Sequence, residues 1–100
     1  MIKHLTPRNK KEVNAFLKTL TATDKIRIGT TSESEQLVKE GIEEGVEDEL
    51  EFEILITCSL ATALLTHNLN MSKLLLNTHA IKNKRLIDSV TRCIQLMEKS

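Results

Sequence analysis

Side chains able to act as acids, bases or metal ligands are common in this chain, but their spacing is not typical of a catalytic or metal site. The histidines His4, His67 and His79 are scattered, and no His or Cys pair has the close spacing of a zinc site. The glycines form no phosphate-binding loop. The carboxylates cluster on predicted exposed helix, where two acids would not differ in environment as acid-base catalysis requires. We therefore expect a non-enzymatic protein with no catalytic residues, no metal and no cofactor.

The two cysteines, Cys58 and Cys93, lie on apolar helical faces and are predicted to be reduced, buried thiols. The N-terminal segment is basic but is followed by an amphipathic stretch, whereas a secretory signal would continue into an apolar run. The absence of that pattern predicts a cytoplasmic protein, in which free thiols persist.

The carboxylates are concentrated in one part of the chain, although the net charge is zero. Residues 33–53 hold ten acids against Lys39, whereas residues 1–27 hold seven Lys/Arg against two acids and residues 54–100 hold six against two. The acidic segment is either a solvated helix face offset by the two basic segments, or a patch that docks a basic protein. Such a patch makes nucleic acid a less expected partner, because it repels phosphates. The candidate partner-binding residues are Glu40, Glu43, Glu44, Glu47, Asp48 and Glu51.

The apolar stretch 54–65 is the element around which the others are expected to pack. As a helix it spans about 18 Å, well short of the ~30 Å of a bilayer core, so we expect a core element and no membrane association. Two predicted helical faces are apolar, and a helix of that kind is expected to be surrounded by others. One face consists of Leu50, Ile54, Cys58, Ala61 and Leu65, and the other of Leu55, Ser59, Thr62 and Leu69.

Residues 49–56 carry two conflicting patterns. Polar and apolar residues alternate in this segment as in a strand. The apolar residues also follow the 3.6-residue spacing of a helix equally well. We favour helix, because Glu is a poor strand former and the segment continues without a break into 57–65. Residues 21–32 are predicted to be a loop with a short strand near 25–29, which would pair with 49–56 if the strand alternative held.

The first and last predicted helices are amphipathic. The first begins at Thr6-Pro7, a capping residue followed by the imino acid tolerated at the first helical position. The last begins near Lys84. Their apolar faces are predicted to be Val13, Phe16, Leu17 and Leu20 in the first, and Leu86, Ile87, Val90, Cys93, Ile94 and Met97 in the last.

A second helix is predicted to start at a capping box formed by Ser32 and Glu35. Gly45 is expected to end it; the alternative is that Gly41 and Gly45 together allow another helix to approach closely. After a turn at 67–70, a short helix is expected to be capped by Ser72 or Asn70. The whole chain, residues 1–100, is thus predicted to be one all-α domain, a bundle of four to five helices around a central helix at about 50–66.

An alternative function follows from the segment after the central helix. A helix at 55–66, a short turn and a helix at 72–79 match a helix-turn-helix, which would make the protein a small DNA-binding or transcription-associated regulator. The candidate nucleic-acid contacts are Lys73, Asn77, Lys82, Lys84 and Arg85.

About 15 residues in this region also match a known pattern. The run from Leu69 to Ser72, followed by Leu75, Leu76 and Ile81, resembles the Leu-x-Ile-Thr-x-x-Leu-Leu run of the helical N-terminal domains of the TFIIS elongation-factor family. The resemblance implies a protein-docking module. The Trp and the basic final helix of that family are absent from this sequence, so we infer no membership.

The charge pattern, the predicted helices and the lack of catalytic spacing favour a protein-interaction or regulatory module. Its expected partner is a protein with a basic surface, bound through the acidic helical patch, or a second copy of the chain. The helix-turn-helix regulator is the alternative.

Overall fold

A computed structural model describes the backbone of residues 7–99 and the side chains from residue 10 onward. This part of the chain is helical and contains no strand, which confirms the all-α class. It holds one helix more than the largest number predicted. The helices are α1 (Pro7–Leu17), α2 (Ala22–Thr31), α3 (Glu35–Glu44), α4 (Glu49–Leu65), α5 (Leu69–Leu76) and α6 (Lys84–Lys99).

The additional helix is α2, so the prediction of a loop with a strand near 25–29 is wrong. Thr21 and Asp24 form a capping box at its start. The Thr21 hydroxyl accepts a hydrogen bond from the Asp24 N–H at 3.2 Å, and the Asp24 carboxylate accepts one from the Thr21 N–H at 3.3 Å. These residues resemble a turn in sequence, because Thr and Asp favour turns and helix starts for the same reason. Ile26, fully buried, then anchors α2 in the core.

The start of α3 lies two residues later than predicted. Ser34 caps it by accepting a hydrogen bond from the Leu37 N–H at 3.3 Å. Ser32 instead ends α2, where both its N–H and its hydroxyl donate to the Ile28 carbonyl. Gly45 ends α3 as predicted, with a φ of 82° that a side chain would strain.

The predictions for the other helix starts have mixed outcomes. α5 is capped by Asn68, whose side chain accepts from the Met71 N–H at 3.1 Å, so the prediction of Ser72 or Asn70 is wrong. α6 begins at Lys84 as predicted. α1 begins at the predicted proline, and the proposed cap at Thr6 lies outside the described residues.

Two glycines bring α2 and α3 together. A Cβ atom at Gly41 would lie 2.8 Å from both the Ala22 carbonyl oxygen and Cγ1 of Ile26. A Cβ atom at Gly29 would lie 2.7 Å from Cγ2 of Val38. Real Cβ contacts are longer than this, so each glycine lets the facing helix approach more closely than an alanine would. The alternative role predicted for Gly41 is therefore correct for this residue.

Residues 49–56 are helical, as favoured, and form the first half of α4. Asp48 caps this helix by accepting hydrogen bonds from the Leu50 and Glu51 N–H groups, at 2.9 and 3.1 Å. The main interfaces join α2 to α3, α2 to α4, α4 to α5 and α5 to α6. The core they enclose consists of Ile26, Val38, Leu55, Ile56, Leu60, Ala63, Met71, Leu75, Ala80, Ile81, Val90 and Ile94.

Only one side of α4 is covered, so the prediction that both apolar faces are buried is wrong. Leu50, Ile54 and Leu65 are 66%, 56% and 81% exposed, and Cys58 lies exposed between them. The molecule is 21 Å thick in its thinnest direction, room for about two layers of helices of ~10–12 Å each. A helix in a two-layer arrangement has no neighbour on its outer side.

Two further residues on predicted apolar faces lie on the surface. Cys93 is exposed on α6, so the prediction of buried thiols is wrong for both cysteines. Phe16 of α1 is 58% exposed, whereas Val13 and Leu17 are half-buried. The amphipathic pattern places apolar residues on one face of a helix, but it does not show how much of that face a neighbour covers.

Candidate functional site

The predicted partner-binding acids lie where α3 ends and α4 begins. We call this set the acidic corner. All of its members are exposed. They are Glu40, Glu43, Glu44, Glu47, Asp48 and Glu51.

The cationic side chains described from residue 10 onward form few ion pairs with the acidic corner. Glu44 forms an ion pair with Lys25 of α2 and is the only member of the acidic corner paired with a side chain that the structure describes. Asp48 accepts two backbone hydrogen bonds as the cap of α4, which partly satisfies its carboxylate. The other four carboxylates remain in solvent. Among the side chains described from residue 10 onward, the flanking basic segments therefore form an ion pair with one of the six acids.

Described cations lie next to the acidic corner without pairing with most of it, and one of them is Lys39, which precedes Glu40 on α3. Lys18 and Lys25 line a surface cavity of about 320 Å³ together with Glu40. Arg27 of α2 lines a second cavity, of about 230 Å³, with Asp48 and Glu51. Lys18, Lys25 and Arg27 border the corner on the α2 side, whereas Glu43 and Glu47 at the α3–α4 turn are exposed to solvent.

An exposed apolar stripe begins at the acidic corner and continues along α4. We call it the α4 stripe; its residues are Leu50, Ile54, Cys58, Ala61 and Leu65. Next to it, a groove of about 330 Å³ runs between α4 and α2. Arg27, Thr30 and Thr31 line the α2 side of this groove, and Ile54 and Cys58 line the α4 side. The acidic corner and the apolar stripe are thus continuous at Leu50.

Among the residues of the helix-turn-helix alternative, Lys73 has its side chain engaged in an ion pair, and Asn77 and Lys82 make backbone contacts. Lys73 forms an ion pair with Glu98 of α6 at 2.6 Å. α5 ends at Leu76, so Asn77 is its C-terminal cap and no recognition helix extends to residue 79. The Lys82 N–H donates to a Glu53 carboxylate oxygen at 3.1 Å, which ties the segment before α6 to α4.

The other two candidate nucleic-acid residues, Lys84 and Arg85, are exposed in the first turn of α6. The turn between α4 and α5 spans 66–68 and places His67 in the left-handed region, with a φ of 54°, where such motifs often use glycine. The turn length fits a helix-turn-helix, but the short second helix and the pairing of Lys73 do not favour it. The alternative stays a prediction.

The described residues contain no group of three or more His, Cys, Asp or Glu side chains able to hold a metal ion. No helix in residues 7–99 is long and apolar enough to span a bilayer.

Sequence reasoning identified the acids but missed the exposure of the α4 stripe. The available signal was the presence of two apolar faces on one helix in a chain too short to cover both. Comparison with protein-family models, curated proteins and solved structures found no match, so these comparisons add nothing to the local TFIIS resemblance.

Proposed function

We propose that this chain is a non-enzymatic protein-interaction module that binds a basic partner protein through the acidic corner. The observation that carries the proposal is the lack of intramolecular ion pairs, because only Glu44 is paired within the part of the chain whose side chains are described. A solvated face offset by its own basic neighbours would show more such pairs.

The electrostatics of the corner suit recognition of a basic protein. Carboxylates that lie within about one Debye length of each other, roughly 8–10 Å, add their negative potentials. The summed potential raises the local concentration of cationic partners. Mutual repulsion among them is relieved when Lys or Arg side chains of a partner approach. The same field opposes the phosphates of nucleic acids.

A cytoplasmic location and a regulatory role are part of this proposal. The two thiols are free and exposed, a state that persists in a reducing compartment. A small helical surface with a charged patch suits a protein that regulates its partner by binding to it.

The test is affinity capture with a charge-reversed variant. Glu43→Lys combined with Glu47→Lys changes the two exposed, unpaired acids at the turn. We expect the variant to lose the protein partner that wild type retains after nuclease treatment, because rim charges govern association and its salt dependence. Capture by wild type should weaken between low and moderate salt.

The matched control is Glu12→Lys combined with Asp88→Lys, which adds the same charge at two exposed acids outside the corner. The control should capture the partner as wild type does, and circular dichroism should show all three proteins equally helical. Equal capture by the Glu43/Glu47 variant, or equal loss in the control, would contradict a role for the acidic corner.

A further inference from the structure

The α4 stripe is a second surface with binding potential, and it lies on the outer side of α4. Leu50, Ile54 and Leu65 are 66%, 56% and 81% exposed. Together they leave about 400 Å² uncovered, roughly half of the ~800 Å² that each partner buries in a standard-size interface. Apolar surface of this extent is within the ~300–600 Å² of the largest patch on a typical monomer, and such a patch often has a binding role.

The stripe residues are spaced symmetrically about the middle of α4, so their positions match when the helix is turned end to end. Leu50 and Leu65 lie equally far from the midpoint between Thr57 and Cys58, as do Ile54 and Ala61. Two antiparallel copies would therefore place Leu50 against Leu65, and the large Ile54 against the small Ala61. Cys58, another small residue, would lie next to the two-fold axis of such a pair, where the two helices approach most closely.

The distribution of charge favours the antiparallel orientation. The acids lie only at the N-terminal end of α4, where Asp48 and Glu51 border Leu50. An antiparallel pair keeps the two acidic ends about 22 Å apart, more than twice the ~8–10 Å Debye length, whereas a parallel pair would place them together. Antiparallel helix dipoles also attract. Each acidic end meets the partner's 65–68 segment, which carries no acidic residue.

A groove beside the stripe can receive side chains of a second copy. Ile54 and Cys58 form one wall of the 330 Å³ groove, and Thr30 and Thr31 of α2 form part of the other. A ridge of side chains on one copy can enter the groove of the second copy while its own groove receives that copy's ridge. Such reciprocal contact is the defining property of a two-fold interface.

We propose that a second copy of this chain covers the α4 stripe, forming an antiparallel two-fold dimer with Cys58 close to the axis. The interface is separate from the α3 part of the acidic corner. The dimer therefore presents two copies of the proposed partner-binding surface, one at each end.

The first experiment measures the mass of the purified full chain by sedimentation equilibrium from about 5 to 300 μM. We expect wild type to reach twice the 11.3 kDa chain mass. Ile54→Glu combined with Leu65→Glu should weaken self-association at least about 100-fold, because the charges would be buried at the centre and end of the interface. Both residues are exposed, so the variant should keep its helical circular-dichroism spectrum.

The matched control is Phe16→Glu, which changes an apolar residue of nearly the same exposure, 58%, on α1. This control and the Glu43→Lys/Glu47→Lys variant should both dimerise as wild type does. A wild-type mass of 11.3 kDa throughout the range, or an Ile54/Leu65 variant that still dimerises, would overturn the proposal. Because no partner protein is present, failure here is distinct from failure of the acidic-corner proposal.

The second experiment tests whether Cys58 of each copy lies in the interface. Each ring of a short bismaleimide reacts with one cysteine thiol. In the Cys93→Ser protein, this reagent should therefore join two chains through Cys58. The reciprocal protein, Cys58→Ser with Cys93 retained, should give no crosslinked dimer at the same concentration. Crosslinking through Cys93 and not Cys58 would refute this interface, even if the protein is dimeric.

Discussion

Replacing Gly41 with alanine would place a methyl group in the contact between α2 and α3. The new Cβ atom would lie 2.8 Å from the carbonyl oxygen of Ala22 and 2.8 Å from Cγ1 of Ile26, with Cβ of Lys25 at 3.1 Å. The first of these atoms belongs to the backbone and the second to a fully buried side chain. Neither can move away without shifting α2 as a whole.

The magnitude follows from two opposing effects. Alanine in a helix interior is ordinarily more stable than glycine by about 1 kcal/mol. Overpacking of a closely packed contact costs about 1–3 kcal/mol, and here both short contacts involve groups that are held in place. We expect the clash to exceed the gain in propensity, so that Gly41→Ala lowers the free energy of unfolding by about 1–2 kcal/mol.

Urea denaturation followed by far-ultraviolet circular dichroism measures this change. The midpoint should fall while the m-value stays constant, because the surface exposed on unfolding is the same. Gln36→Ala, on the exposed side of α3, is the matched control and should change stability by less than about 0.5 kcal/mol. A Gly41→Ala protein as stable as wild type or more stable would refute the close approach of α2 and α3.

The capping box and the thiols give two further predictions. Thr21→Ala removes the side chain that accepts from the Asp24 N–H, so we expect a loss of about 1 kcal/mol in the same denaturation assay. A loss below about 0.3 kcal/mol would indicate that α2 does not depend on this cap. Cys58 and Cys93 are both exposed, so Ellman's reagent should modify two thiols per native chain at concentrations that dissociate the proposed dimer. Raising the protein concentration should slow the modification of Cys58 but not that of Cys93. Fewer than two reactive thiols in the dilute protein would contradict the exposure of the two cysteines.

Local signals predicted several elements correctly. The all-α class, helix over 49–56, the end of α3 at Gly45 and the start of α6 at Lys84 each depend on residues within one or two turns. The missed helix, α2, contains Thr, Ile and Gly, which have weak helix propensity, and its Ile26 and Ile28 alternate as in a strand. Its stability comes from the Thr21 cap and from burial of Ile26, a tertiary contribution that a local pattern does not contain.

The candidate site was predicted in part. The distribution of charge along the sequence located the acidic cluster. Only the folded positions of Lys18, Lys25 and Arg27 show how few of the acids these cations pair with. Periodicity identified the stripe from Leu50 to Leu65 as apolar, yet a helix with two apolar faces gives no indication of which face its neighbours cover. That outcome depends on the number of helix layers, which is a property of the whole fold.

The pattern of helix contacts has a consequence for how the chain acquires its structure. Three of the four main interfaces join helices that are neighbours in sequence, and only the contact of α2 with α4 bridges an intervening helix. Such local pairing means low contact order, so little loop-closure entropy opposes each step and folding in the microsecond to millisecond range is expected. Docking of α2 against α4 is then the main contact that joins the α2–α3 hairpin to the C-terminal helices, so cooperative unfolding of these two parts depends chiefly on that interface.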